Sequence, residues 1–170
     1  MQLIGLAGWS GAGKTTLLTR LIPCLARRGL GVSTLKHAHH RFDVDMPGKD
    51  SWKHREAGAR QVLVASEQRW ALMTELRGAP EPDLRFLLSR LSPVDLVIVE
   101  GFKRDSLPKI EVHRVENGKP WLHPEDPRIA AIASDVRPPA TDLPWAPLDD
   151  ADSVADLVQR FAVDAAAWMG

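Results

Sequence analysis

The sequence has little of what a secreted or membrane-inserted protein needs. It contains one cysteine, Cys24, in 170 residues, and a single thiol cannot form an internal disulfide, which suits a reducing compartment. The N-terminus has neither a basic region nor the long apolar run that would follow it in a signal peptide. The first apolar run, residues 3–7, is too short for a signal peptide or a membrane span. We therefore expect a soluble, cytoplasmic protein with no membrane partner.

An excess of charge of one sign is also absent. Lys plus Arg and Asp plus Glu number 22 each, so no net field attracts nucleic acid as a sequence-independent partner. Internal repeats, low-complexity tracts and long linkers are missing from the sequence as well. We expect a single domain that spans residues 1–170, and no nucleic-acid partner.

Short apolar runs alternate with helical or loop segments along the chain. Strands are predicted at residues 3–7, 32–35, 96–99 and 129–133. Helices are predicted from residue 14 to about 28, from 83 to 91, and from 149 or 152 to about 168. This alternation predicts an α/β fold in which a mostly parallel sheet carries helices on its faces.

Three local features add detail to this plan. Pro23 removes a backbone donor inside the first helix, at a cost of up to about 3 kcal/mol, and we expect a kink there but no break. Ser51, beside Asp50, is predicted to cap a short helix that runs through residue 58. Residues 61–66 and 68–74 alternate like two strands with a short turn between them. They predict a β-hairpin added to the parallel core.

The clearest functional signal is the sequence GWSGAGKT, which starts at Gly8. It follows an apolar strand and opens a helix, which is the context of a P-loop. In such a loop, backbone N–H groups converge on phosphate oxygens and the helix N-terminus adds positive potential. The chain is therefore predicted to have a P-loop NTPase fold. The predicted phosphate-binding residues are Ser10, Gly11, Ala12, Gly13, Lys14, Thr15 and Thr16.

Chemical roles can be predicted for several of these side chains. Lys14 is expected to reach the β and γ phosphates, Thr15 to ligate Mg²⁺ and Thr16 to touch the α-phosphate. Glu100 is the predicted carboxylate on the Mg²⁺ waters, because it ends a strand whose C-terminal end faces the nucleotide; a solvated turn residue is the alternative. Asp95 begins that strand, about 16 Å away, and is expected to be a surface residue. Lys14 and Glu100 are thus the predicted catalytic residues.

A polar segment, residues 36–51, begins where the second strand leaves toward the nucleotide. Lys36 is predicted to pair with terminal phosphate oxygens, and Asp43 or Asp45 to orient a Mg²⁺-bound water. A solvated loop is the alternative. The segment also holds three histidines that offer a transition-metal site, although no Cys-x-x-Cys accompanies them. They are His37, His39 and His40.

Three segments together resemble the MobB family of molybdopterin-guanine dinucleotide biosynthesis adapter proteins. They are the P-loop, the run from Lys36-His37 to Asp50-Ser51, and residues 95–103, DLVIVEGFK. The resemblance implies binding of GTP with Mg²⁺, slow GTP hydrolysis and assistance to the guanylyltransferase that makes the guanine dinucleotide form of the molybdenum cofactor. It also implies contacts with other molybdenum-cofactor proteins.

The resemblance further implies a homodimer in which the hairpin of residues 61–74 takes part. The hairpin carries apolar side chains that a parallel core does not require, and these support self-association. They are Val62, Val64, Trp70 and Leu72. Trp70 packed on its own domain is the alternative.

Guanine recognition lacks its usual Asn-Lys-x-Asp signature, and the single asparagine, Asn117, lies in a predicted turn. Asp135, just past the fourth predicted strand, is the predicted substitute, because a carboxylate can accept two hydrogen bonds from the guanine N1 and N2 donors. A turn or cap role is its alternative. Two other functions stay open: an ATP-dependent small-molecule kinase with Asp43 as base, and a metal-delivery GTPase that uses the histidine segment. Lys103 and Arg104 are candidate contacts for a partner or an anion, and solvated surface residues are the alternative.

Overall fold

The structure of the chain is a computed structural model that describes residues 1–38, 42–102 and 105–170. The chain folds into two compact units. Unit 1 comprises Met1–His37 and Leu84–Gly170, and unit 2 comprises Ala38–Asp83. Predicted residues His39, His40, Lys103 and Arg104 lie outside the described residues. A single domain over residues 1–170 stays a prediction.

Unit 1 is built on a seven-stranded sheet. Numbered along the chain, its strands are β1 (Gln2–Ala7), β2 (Val32–Lys36), β5 (Leu96–Glu100), β6 (Lys109–His113), β7 (Ile129–Ser134), β8 (Trp145–Pro147) and β9 (Val163–Asp164). The order β2-β5-β1-β6-β7-β8 is parallel at every pairing. The predicted α/β fold with a mostly parallel sheet is confirmed.

Helices cover both faces of this sheet. Helices α1 (Lys14–Arg27) and α4 (Ala151–Phe161) share one hydrophobic cluster with the strands, and α3 (Leu84–Leu88) and α5 (Ala165–Met169) share the other. Successive strand residues point to opposite faces, so Ile4 packs in the first cluster and Leu3 in the second. Burial on both faces explains why these strands read as continuous apolar runs. The result is a three-layer sandwich.

The C-terminal segment differs from the single long helix that was predicted. Helix α4 begins after Asp150, whose carboxylate accepts from the N–H groups of Asp152 and Ser153, and ends at Phe161. Strand β9 then pairs antiparallel with the first residues of β1. Since β6 pairs only with residues 5–7 of β1, β9 supplies hydrogen bonds that the start of β1 would otherwise lack. The prediction of one helix was therefore wrong.

Two other helices can be compared with their predictions. Helix α1 continues through Pro23, so the expected absence of a break is confirmed. Helix α3 is shorter than the predicted 83–91. Within the described residues, no helix combines the length and apolar character needed to cross a membrane.

Unit 2 contains helix α2 (Asp50–Glu56) and the strands β3 (Gln61–Ala65) and β4 (Trp70–Thr74). The two strands pair antiparallel in a sheet of their own, so the predicted hairpin is confirmed. The predicted cap of α2 was wrong: the cap position is Lys49, and Ser51 lies in the first turn. There its hydroxyl donates to Asp45 Oδ1 over 2.8 Å, which ties the helix to the preceding loop instead.

Candidate functional site

The loop between β1 and α1 has the backbone of a phosphate cradle. A Cβ on Gly8 would lie 2.5 Å from the carbonyl oxygen of Val112, so only glycine fits where the loop passes β6. Gly13 has φ +94° at the cap position of α1, a left-handed conformation that favours glycine. No side chain of the described residues caps this helix. Its first N–H groups are thus suited to an anion.

On the β5 side of the cradle, two lysines approach one carboxylate. Lys14 Nζ lies 4.0 Å from Glu100 Oε1, and Lys36 Nζ lies 3.8 Å from Glu100 Oε2. Lys36 and Glu100 are register partners at the ends of β2 and β5, which explains why residues far apart in sequence meet here. The Glu100 side chain is only 12% exposed. Three predicted site residues are therefore brought together at the C-terminal edge of the sheet.

The Lys14 ammonium also contacts the cradle itself. It donates to the carbonyl oxygens of Gly8 and Trp9, over 2.9 and 3.1 Å. Thr15 and Thr16 are exposed in the first turn of α1, beside the same loop. Asp95, as expected, is an exposed residue at the start of β5, where its carboxylate accepts from the N–H of Gly31.

Asp135 directly follows β7, two strands from β1, which is about 10 Å at the usual strand spacing. Its side chain is exposed, and its two oxygens accept from the N–H of Val115 over 3.0 and 3.3 Å. A carboxylate has about four acceptor positions, so this contact leaves capacity for another donor. Asp135 lies at the same edge of the sheet as the cradle, since both follow parallel strands.

Asp43 and Asp45 lie in unit 2, where both bind Arg55. Arg55 donates to Asp43 over 2.8 Å and to Asp45 over 3.2 Å, and also contacts Glu75 over 3.1 Å. The hydrogen bond from Arg55 is the main cause that lowers the pKa of Asp43. The sequence predicts that these aspartates lie near Mg²⁺ and gives no sign of Arg55, because nothing in the spacing links the loop to α2.

The histidine segment is only partly described. His37 stacks at a tilt on Phe102, with 5.0 Å between ring centroids. In the part of the chain that the structure describes, no group of three or more His, Cys, Asp or Glu side chains is arranged to hold a metal ion. The transition-metal alternative depends on residues 39 and 40 and stays untested.

The β6 side of the cradle was not anticipated from the sequence. After β6 comes a short 3₁₀ helix, Val115–Asn117. Asn117 Nδ2 donates to the carbonyl oxygen of Ser10 over 2.9 Å, and Trp9 Nε1 donates to that of Pro120 over 2.8 Å. The segment after β6 is thereby fastened to the P-loop. In the sequence, the alternation of Ile110 and Val112 with polar residues is the one pattern that indicates strand β6.

The polar face of β6 is buried beneath residues 121–126. Lys109 Nζ lies 3.0 Å from an Asp126 oxygen. The Glu111 carboxylate accepts from the N–H groups of Leu122 and His123, over 2.6 and 3.0 Å. His113 stacks on the indole of Trp121, and burial lowers its pKa. These contacts give Lys109 and Glu111 polar partners for their buried charged groups, and they pack His113 against an aromatic ring.

Comparison with known proteins agrees with these observations. A family described as "MobB: Molybdopterin guanine dinucleotide synthesis protein B" matches residues 3–135. The molybdopterin-guanine dinucleotide biosynthesis adapter protein of Escherichia coli is 48% identical over 161 residues, which cover 93% of this chain and 91% of that protein. The protein of the same name from Haemophilus influenzae is 43% identical, over 95% of this chain and 89% of its own.

Solved structures resemble the fold as well. A crystal structure of molybdopterin-guanine biosynthesis protein B is 30% identical, with a TM-score of 0.69, and covers 93% of this chain and 98% of its own. The crystal structure of Bacillus subtilis MobB has a TM-score of 0.75 at 24% identity and covers 96% of this chain and 99% of its own. At that identity the second similarity concerns the fold alone.

Proposed function

The chain belongs to the MobB family, molybdopterin guanine dinucleotide synthesis protein B, and from this we propose that it acts as a GTP-binding adapter in molybdopterin guanine dinucleotide biosynthesis. The observation that carries the nucleotide part of the proposal is the placement of Glu100 between Lys14 and Lys36 beside the cradle. Such a group of charges suits a phosphate chain with a divalent cation.

The phosphates are assigned to the P-loop. Backbone N–H groups of residues 10–16 and the N-terminus of α1 would bind them. Lys14 would neutralise the β and γ phosphates, and Lys36 the terminal oxygens. The support is geometric: both ammonium groups lie within 4.0 Å of one carboxylate at the end of β5.

Mg²⁺ is assigned to the same edge of the sheet. Thr15 would ligate the ion through its hydroxyl, and Glu100 would hold its waters. The hard oxygen donors of these side chains fit Mg²⁺, which keeps several waters in protein sites. When bound, the ion would neutralise charge on the β and γ oxygens. Asp43 and Asp45 stay predicted ligands, and their ion pairs with Arg55 would have to be shared or released.

Asp135 is assigned to the guanine base. It lies about 10 Å from the cradle along the sheet edge, a span that a nucleoside can bridge. GTP hydrolysis would be slow in the isolated protein and would depend on Lys14 and Glu100. Among the described residues, no arrangement marks a group that aligns the attacking water, which is what fast hydrolysis needs.

The proposed partners are the molybdopterin guanylyltransferase and other proteins of molybdenum-cofactor synthesis, in the cytoplasm. An adapter of this kind would present bound GTP, or a GTP-dependent conformation, to its partner. The buried free thiol of Cys24 is compatible with such a reducing compartment.

Titration calorimetry of the purified chain tests the nucleotide proposal. GTP and ATP analogues would be added in Mg²⁺ to the native chain and to Lys14→Ala. We expect a preference for GTP, and a loss of at least about 100-fold in affinity in the variant, since a charged hydrogen-bonding group is removed from the phosphates. Preference for ATP with the same Lys14 dependence would favour the kinase. Equal binding by both chains would contradict the P-loop assignment.

We also propose that the chain is a homodimer with the hairpin of β3 and β4 in its interface. Leu63 pairs with Leu72, and Ala65 with Trp70, so these side chains share one face. Leu63, Trp70 and Leu72 are 60%, 67% and 48% exposed. Val62, which was predicted to belong with them, lies on the opposite face of the hairpin and is only 8% exposed. An apolar face of this kind supports self-association.

Light scattering measures the oligomeric state directly. We expect a dimer mass for the native chain and a monomer mass for Trp70→Glu, because the change places a charge on the apolar face. Phe86→Glu is the matched control, since Phe86 is an exposed aromatic residue on α3, in unit 1. A monomer mass for the native chain would contradict the dimer proposal and would not affect the nucleotide proposal.

A further inference from the structure

Arg114 is a half-buried arginine beside the cradle that none of the roles above uses. It follows β6 directly, and a Cβ built on Gly13 would lie 3.6 Å from its Nη2 and 3.7 Å from its Nε. Within residues 1–38, 42–102 and 105–170, its guanidinium makes no hydrogen bond and no ion pair. We propose that Arg114 binds phosphate oxygens of the nucleotide from the β6 side of the loop, which deepens the function proposed above and rests on it.

The electrostatic surroundings of Arg114 favour an anion beside it. Gly13 is the cap position of α1, where the helix dipole contributes positive potential. An unpaired guanidinium next to that potential is repelled unless a negative group lies between them. Two nearby acids contact other groups: Glu111 binds backbone N–H groups of the loop over β6, and Asp135 binds the N–H of Val115. Glu116, two residues along the chain, is exposed and forms no ion pair with Arg114 among the described residues.

The backbone that carries Arg114 is held on both sides. Val115 N–H is bound by Asp135, and Asn117 is bound to Ser10 in the P-loop. A side chain that starts from a fixed backbone loses less conformational freedom when it binds a ligand. The planar guanidinium presents its donors as a fork that matches two phosphate oxygens, a geometry that lysine cannot reproduce. Position, charge and shape thus assign Arg114 to the phosphate chain.

The test compares two probes on the full chain: GTP with Mg²⁺, and inorganic tripolyphosphate, which has the phosphates but no base. The variants are Arg114→Gln and Arg114→Lys. Arg27→Gln is the matched control, because Arg27 is an exposed arginine at the other end of α1, about 20 Å away along the helix. Affinities come from calorimetry, and melting temperatures monitor the fold.

We expect Arg114→Gln to weaken both probes by about tenfold, as for the loss of a charged hydrogen bond, with an unchanged melting temperature. Arg114→Lys should lie between Gln and the native chain, and Arg27→Gln should bind as the native chain does. Weakening of GTP alone would mean that Arg114 contacts base or ribose, and would overturn the assignment. If Arg114→Gln lowers the melting temperature, the Arg114→Lys variant provides the test. Native affinity of that variant for both probes would overturn the proposal that the guanidinium binds two phosphate oxygens.

Failure of this inference differs from failure of the proposed function. If the native chain binds neither GTP nor ATP, both are overturned. If the native chain binds GTP, Lys14→Ala abolishes binding and Arg114→Gln retains native affinity, the P-loop assignment stands and only the role of Arg114 is overturned.

Discussion

The two sides of the cradle are built from different interactions. On the β5 side, two lysines flank Glu100 at 4.0 and 3.8 Å, and the groups are charged and partly accessible. On the β6 side, the contacts are hydrogen bonds to backbone carbonyl oxygens, such as Asn117 to Ser10, above a layer of buried polar side chains. The first side has the chemistry of a ligand site, whereas these hydrogen bonds on the second side position the loop beside which Arg114 lies.

This difference explains which side could be recognised beforehand. Charged groups on the β5 side are the ones that the proposed ligand would need, so their types and positions can be predicted from phosphate and Mg²⁺ chemistry. The groups on the β6 side contact other segments of the same chain. The role of a histidine, a glutamate or an asparagine there depends on tertiary contacts, which the sequence does not show. Substitutions on the β5 side should therefore mainly lower ligand affinity, whereas substitutions in the buried layer of the β6 side should mainly lower the free energy of unfolding.

The largest effect should follow from Glu111→Ala, on the β6 side. Glu111 is 1% exposed and accepts from two backbone N–H groups, which the variant would leave buried without an acceptor. We expect the free energy of unfolding to fall by about 3 kcal/mol, measured by urea denaturation. Glu116→Ala, an exposed glutamate of the 3₁₀ helix, is the control and should change little. If both variants lower the free energy of unfolding by the same small amount, the β6 side does not have the structural role that distinguishes it from the β5 side.

A smaller effect, on affinity alone, should follow from Glu100→Gln on the β5 side. The variant keeps the size of the side chain but removes the charge between the two lysines. We expect Mg²⁺-dependent GTP binding to weaken by about tenfold while the unfolding midpoint stays near that of the native chain. The measurement is GTP affinity against Mg²⁺ concentration, with the exposed Glu125→Gln as control. An unchanged Mg²⁺ dependence would make Glu100 a structural residue.

The smallest effect should come from Asn117→Ala, where the two sides meet. The variant removes one hydrogen bond to the P-loop, worth about 1 kcal/mol, so GTP affinity should fall by about fivefold with a small change in stability. Asn117→Asp keeps the shape but replaces the donor with an acceptor, and should weaken GTP at least as much. If the Asn117→Asp variant binds GTP with native affinity, the hydrogen bond from Asn117 Nδ2 to Ser10 does not position the loop.

Strand β6 shows why part of the fold escaped prediction. Its residues Lys109, Glu111 and His113 alternate with apolar ones, a pattern typical of a strand with one solvated face. The pattern was too short and too polar to be recognised between loops. In the structure all three are buried: Asp126 and the N–H groups of residues 122–123 provide partners for Lys109 and Glu111, and His113 stacks on Trp121. Those partners come from a loop whose path only tertiary packing defines.

The sequence by itself determined the P-loop, the strands β1, β2 and β5, and the meeting of Lys14, Lys36 and Glu100 at one sheet edge, because parallel strands bring their C-terminal ends together. Tertiary structure alone decided the ion pairs of Arg55, the break between α4 and α5, and the position of Arg114 beside Gly13. Each of these depends on which distant segment satisfies a polar group, and local pattern carries no information about a partner that is far away in the chain.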